Sequence, residues 1–139
     1  MIVIDPKIEY LVIVPGKARS FRSHYSKVYR EKVREAAREV IKEMFHSDDI
    51  DLKVDYFYRG NRNIDMDNIT KNVMDALTGV AYLDDKLVKT QNSSAHKVDE
   101  VVLVTREVFD IFKPLANHKE YLLIRIRSKD AYIKIKHST

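Results

Sequence analysis

The chain has 139 residues, 45% hydrophobic and 33% charged, which suits one domain with its own core and excludes a disordered chain. It contains no cysteine, so disulfides and thiolate zinc sites are ruled out. A net charge of +4 permits a polyanionic partner without demanding one. The opening MIVIDPKIEYLVIVPGK has no basic start, and Asp5, Lys7 and Glu9 interrupt its apolar runs. It fits neither a secretory leader nor a membrane span, and a cytoplasmic location is expected.

Tyr10 to Val14 is β-branched and ends at Pro15-Gly16, which predicts a strand and a turn. KARSFRSHYSK follows, with Lys17, Arg19, Arg22 and Lys27 and no acidic residue. It is either a solvated loop or a phosphate-contacting one, in which Phe21 or Tyr25 lies on a base. From Ser26 to about Phe45, apolar residues at Val33, Ala36, Ala37, Val40, Ile41, Met44 and Phe45 recur at helical steps, with Ser26 as N-cap. The opposite face interleaves Arg30, Arg34, Arg38 and Lys42 with Glu31, Glu35, Glu39 and Glu43, a solvated, self-pairing surface.

HSDDID breaks that helix, and a strand over Asp55 to Arg59 is entered through Leu52-Lys53-Val54. Gly60 ends it, and the basic Arg59 to Arg62 stretch leads into Asp65. A second helix is expected from about Asp67 to Thr78, buried along Ile69, Val73, Met74, Ala76 and Leu77 and stopped by Gly79. Leu87 to Val98 is weakly strand-like. Glu100 to Leu115 reads as a short strand or turn and then a short helix ending at Lys113-Pro114. Tyr121 to Arg127 alternates as a strand, and 131–136 is a candidate for another. The expectation is one α/β (α+β) domain over 1–139, with a mixed sheet of about four to five strands flanked by two main helices.

The stretch from Asn61 to Leu87, NRNIDMDNITKNVMDALTGVAYLDDKL, holds the chemistry. In an extended D-x-D, Asp65 and Asp67 point to one side, because the strand period is two. Lys71 lies one helical turn beyond Asp67, and Asp75, one turn further, is a natural partner for Lys71. Asp84 and Asp85 are adjacent and point to opposite sides of an extended chain, so one of them is expected at the site. Two or three carboxylates beside a lysine suit Mg²⁺, which takes a few protein oxygens and keeps water and substrate phosphate for the rest. An EF-hand starting at Asp65 fails, since its sixth and twelfth positions hold Thr70 and Ala76 instead of Gly and Glu. An aspartyl-phosphate nucleophile normally ends a hydrophobic strand, whereas GNRN intervenes here. Helix capping explains Asp67 or Asn68 but not Asp65 and the second acidic pair as well.

Asp65-Met-Asp67-Asn68-Ile-Thr-Lys71-Asn-Val-Met-Asp75-Ala76-Leu77, then TGVAYL and Asp84-Asp85, resembles the signature of RusA-type Holliday junction resolvases. The match covers about two dozen residues in order and spacing. The resemblance implies a small homodimer that binds four-way DNA junctions and nicks two strands symmetrically with Mg²⁺, or Mn²⁺ in its place. It implies Asp65, Asp67 and Asp85 as the metal-binding acidic residues, with Lys71 as their catalytic cationic partner. Asn68, Asp75 and Asp84 are implied as supporting positions. Lys17, Arg19, Arg22, Lys27, Arg59 and Arg62 are the expected DNA contacts. A two-fold dimer suits the approximate two-fold symmetry of a junction. Two alternatives remain: a DNA-binding protein whose carboxylates are structural, and a nuclease for flaps or RNA.

Overall fold

The computed structural model describes residues 2–3, 9–46, 48–98, 120–128 and 134–135. Their order is β1 (Ile2–Val3), β2 (Glu9–Pro15), α1 (Ser26–Val40), β3 (Ile50–Tyr58), α2 (Met66–Leu77), a 3-10 turn (Asp85–Leu87), β4 (Val88–Lys97), β5 (Tyr121–Ser128) and β6 (Lys134–Ile135). Four strands form a mixed sheet in the order β2-β5-β3-β4, and β1 pairs separately with β6. β5 is antiparallel to both its neighbours, while β3 and β4 are parallel. The class is α+β, as the hydrophobic periodicity predicts.

The strand period of two sorts the sheet into faces. Val12 and Val14, then Ile50, Leu52, Val54 and Tyr56, then Leu122, Ile124 and Ile126 all point to one face and are inaccessible to solvent. Val33 and Ala37 of α1 and Ile69, Val73, Ala76 and Leu77 of α2 close over them. The opposite face carries a smaller cluster of Phe57, Tyr121 and Leu123, against which Leu11, Ile13 and Val98 pack. β3 reads strongly because it is paired on both edges and buried. β4 reads weakly because it lies at the edge of the sheet, with half of its residues exposed and none buried.

Several boundaries differ from the sequence expectation, each for a local reason. α1 stops at Val40, and Ile41 turns extended at φ −83°, ψ 104°. Phe45, the last apolar residue of the periodic run, serves a different contact. Its ring meets Tyr10 edge-on at 5.6 Å, and its N–H donates to the Ala81 carbonyl at 2.8 Å. The N-cap position of α1 is Tyr25, not Ser26, and no side chain caps it. β3 begins at Ile50, earlier than the aromatic run alone suggests. Gly79 has φ +87° just beyond α2, the left-handed conformation expected of a glycine stop. The segment Glu100 to Leu115 lies outside the described residues, as does most of 131–136.

The parallel β3-α2-β4 crossover decides where the acidic residues fall. A chain that rises along β3 and again along β4 must descend through α2. The start of α2 therefore lies near the end of β3, and the Asp84-Asp85 pair lies near the beginning of both strands. Ile50 pairs with Val88 in the sheet register, which fixes that second end.

Candidate functional site

The start of α2 is built by Asp65. Its carboxylate caps the helix, accepting from the Asn68 N–H at 3.2 Å and from the Asn68 side-chain amide at 2.6 Å. Those bonds, with the charge of Arg22, hold the Asp65 carboxyl below the usual aspartate range. Asp67 sits in the first helical turn and is exposed. The D-x-D segment is thus a cap and a helical residue, not the extended pair expected. Capping falls to Asp65, where the sequence pattern favours Asp67 or Asn68. The capping role leaves Asp65 solvent-exposed and ionised beside Asp67.

The basic loop is clamped to this end of the helix. Phe21 N–H donates to the Asn68 carbonyl at 2.9 Å. The fully buried Asn72 accepts from Ser26 Oγ and Arg30 Nη1, each at 3.1 Å. Its amide donates to the carbonyls of Arg19 at 3.1 Å and Ser26 at 3.3 Å. Asn72 is the residue organising this end of the helix that the sequence reading passes over. Its signal is positional: three residues after Ile69 and four before Ala76, it is a polar residue inside the buried stripe.

Around this clamp the cationic side chains collect on aromatic faces. Arg19 lies 4.6 Å from the Tyr25 ring centroid, and Lys71 and Arg30 lie 4.8 and 5.5 Å from that of Phe21. Such placement restrains long charged side chains without neutralising them. Phe21 and Tyr25 are 39% and 54% exposed, so both keep surface free for a further planar group. A cavity of about 210 Å³ opens between the loop and Asp65, lined in part by Arg19, Ser20, Tyr56, Arg62 and Ile64. Lys17, Arg22 and Lys27 are exposed around it.

One expected pairing is replaced. Asp75 pairs with Arg30 at 3.3 Å instead of with Lys71, because Lys71 is drawn over Phe21. Arg62 is tied into the scaffold. It binds Glu120 and donates to Tyr56 Oη at 3.0 Å. Tyr56 Oη in turn donates to Glu120 at 2.8 Å and accepts from Ala18 N–H at 3.1 Å. Burial pushes the Glu120 carboxyl up, but bonds from Arg59 N–H, Tyr56 and Arg62 outweigh it and leave the carboxyl below its usual range. This knot ties the end of β3 to the loop that delivers Asp65. A wider depression of about 390 Å³, lined by Tyr58, Arg62, Asn63 and Lys97 among others, adjoins it.

Asp84 and Asp85 are exposed at the other end of α2. Asp84 caps the 3-10 turn, accepting from Lys86 N–H at 2.9 Å. Burial raises the pKa of Tyr82, and the negative charges of Asp85 and Asp75 add to that rise. The structure thus brings together Asp65, Asp67, Asn68, Lys71 and the basic loop, and does not bring Asp84 or Asp85 to them. Among the described residues, no three His, Cys, Asp or Glu side chains lie close enough to hold one metal ion. Within one chain, Asp65 and Asp67 are the carboxylates that this end of α2 offers to a hard cation, which takes few protein oxygens and completes its shell with water and phosphate.

A two-helix mixed sheet here exposes carboxylates beside an aromatic and cationic loop, an arrangement compatible with a polyanionic partner. The match to known proteins makes this specific. Residues 11–104, about two thirds of the chain, match the family model of the endodeoxyribonuclease RusA. The chain belongs to that family. None of the curated proteins matches it. The matched span ends before β5, yet β5 occupies the centre of the sheet between β2 and β3. Among the described residues, no helix is long and apolar enough to cross a membrane.

Proposed function

We propose that this endodeoxyribonuclease binds four-way DNA junctions and resolves them by paired nicks, with Mg²⁺ or Mn²⁺ as cofactor, acting as a homodimer in the cytoplasm. The observation that carries the proposal is the family match combined with an intact D-x-D-N-x-x-K motif, exposed beside a clamped basic loop. Lys17, Arg19, Arg22 and Lys27 would grip phosphate oxygens, and Phe21 and Tyr25 offer faces to unstacked bases at the branch. Asp65 and Asp67 supply hard oxygen ligands of the kind Mg²⁺ prefers. Lys71 brings a positive charge near the phosphate that those carboxylates face.

The test is a synthetic junction incubated with Mg²⁺ or Mn²⁺, with Asp67→Asn as the control. Wild type should cut, and the variant should bind but not cut. Wild-type binding without cutting across several junction sequences would sink the nuclease reading. One observation favours the second reading, a junction-binding protein without catalysis: Asp65 caps α2 and therefore has a structural reason to exist. That reading predicts junction binding indifferent to divalent ions and an Asp67→Asn protein that loses stability instead of cutting.

A further inference from the structure

Lys71 has Asp67 one helical turn before it and Asp75 one turn after, the spacing at which a lysine pairs along a helix. Among the described residues it pairs with neither. Asp75 is held by Arg30 at 3.3 Å, and the Lys71 ammonium lies 4.8 Å from the centroid of the Phe21 ring. A carboxylate in that place would oppose the lysine's charge, whereas a ring face attracts an ammonium and leaves its charge whole. The ring is itself held in place. Phe21 N–H donates to the Asn68 carbonyl at 2.9 Å, which ties the loop backbone to the part of α2 that carries Lys71. Arg30, fixed by Ser26, Asn72 and Asp75, lies 5.5 Å from the same ring centroid. Because residue 21 is placed through its backbone, a change of side chain removes the ring and leaves the loop bonded to the helix.

We propose that Phe21 is a positioning residue for Lys71. Its ring holds the ammonium beside the first turns of α2, charged and with donors left for a phosphate oxygen, and so raises the rate of the cut. The proposal rests on the nuclease reading above. A lysine side chain loose in solvent samples many rotamers, and restraining it before the substrate arrives removes part of that ordering from the barrier. The role is distinct from stacking on an unpaired base, which would act on junction affinity. An interaction that works through Lys71 in the transition state lowers the rate when removed and leaves ground-state binding alone.

The test compares wild type, Phe21→Leu and Phe21→Tyr on a synthetic four-way junction with Mg²⁺, under single-turnover conditions. Phe21→Leu keeps an apolar side chain without a ring face, and Phe21→Tyr keeps the face. Phe21→Leu should lower the saturating rate roughly two- to fivefold, the worth of one exposed ring–ammonium contact, with the half-saturating protein concentration unchanged. Phe21→Tyr should retain the wild-type rate. A second readout is the proton resonance of the Lys71 Cε methylene, assigned as the one missing from Lys71→Gln. The ring current should hold it upfield in wild type and in Phe21→Tyr, and it should move to an ordinary lysine position in Phe21→Leu. If wild type cuts and Phe21→Leu cuts as fast, or loses affinity alone, the positioning role is overturned and the nuclease reading stands. An equal loss of rate in Phe21→Tyr, or a Lys71 resonance unmoved in Phe21→Leu, also overturns it. If wild type cuts no branched DNA, the nuclease reading falls and the positioning role with it. A Lys71 resonance that still moves in Phe21→Leu separates that failure from a failure of the contact.

Discussion

Replacing Asn72 by alanine should loosen the grip of the basic loop on α2, and the size of the effect follows from four hydrogen bonds. Asn72 is fully buried and joins Ser26, Arg30 and Arg19 through both ends of its amide. Truncation leaves the Arg19 carbonyl and the Ser26 hydroxyl without this partner, and each buried group so stranded costs about 1–3 kcal/mol. Arg30 retains Asp75 and loses less. The expected loss is about 2–4 kcal/mol in urea unfolding, with an unchanged slope. For a chain of this length it lowers Tm by about 10 °C. Asn72→Leu should fall in the same range, since it restores volume but not the bonds. A cycle with Ser26→Ala should give a coupling of about 1 kcal/mol or more. Junction affinity should weaken at temperatures where the variant stays folded, because Arg19 and Phe21 are no longer held. A loss of stability under about 0.5 kcal/mol would refute the clamp.

Other consequences are open to direct measurement. The Glu120 carboxyl lies below its ordinary value of 4.5 when folded, so its stabilisation is present above that pH and is lost as pH falls through the folded value. Glu120→Gln should therefore lower stability at neutral pH and flatten its fall below pH 4.5, as read from urea midpoints across that window. Gly16 has φ +98°, and its N–H donates to the Glu120 carbonyl at 2.8 Å. Gly16→Ala should cost about 1 kcal/mol from that dihedral, even though the flexible Lys32 amine 2.7 Å from the added carbon can move aside. Junction affinity should fall steeply with salt, and Arg22→Gln should reduce the log–log slope by about 1. Arg62→Gln, by contrast, should mainly destabilise, since that side chain is bound to Glu120 and Tyr56.

What the sequence made legible follows from where each signal originates. β2 declares itself by its β-branched run ending at Pro15-Gly16, β5 by the alternation of its sequence, and α2 by its stripe and by Gly79. The motif carries the family resemblance in its order and spacing, so the carboxylates and Lys71 could be named as candidates before any fold was known. Three-dimensional competition is what stays hidden. Phe45 continues the period of α1 but is claimed by Tyr10 and Ala81, which ends the helix early. Asp75 and Lys71 have ideal spacing, yet Arg30 and Phe21 outbid each for the other. Arg62, expected as a DNA contact, also has a structural partner in Glu120, which is distant in sequence and so left no local signal. The split of the acidic residues across α2 follows from β3 and β4 being parallel, a fact of pairing that no local pattern encodes.

The most direct test of the central claim is to map cuts on a four-way junction labelled in turn on each strand. Paired nicks at symmetric positions across the branch, dependent on Mg²⁺ or Mn²⁺ and absent in Asp67→Asn, are the predicted result. Tight binding that leaves all four strands whole, or cutting that proceeds equally well without a divalent ion, would contradict it.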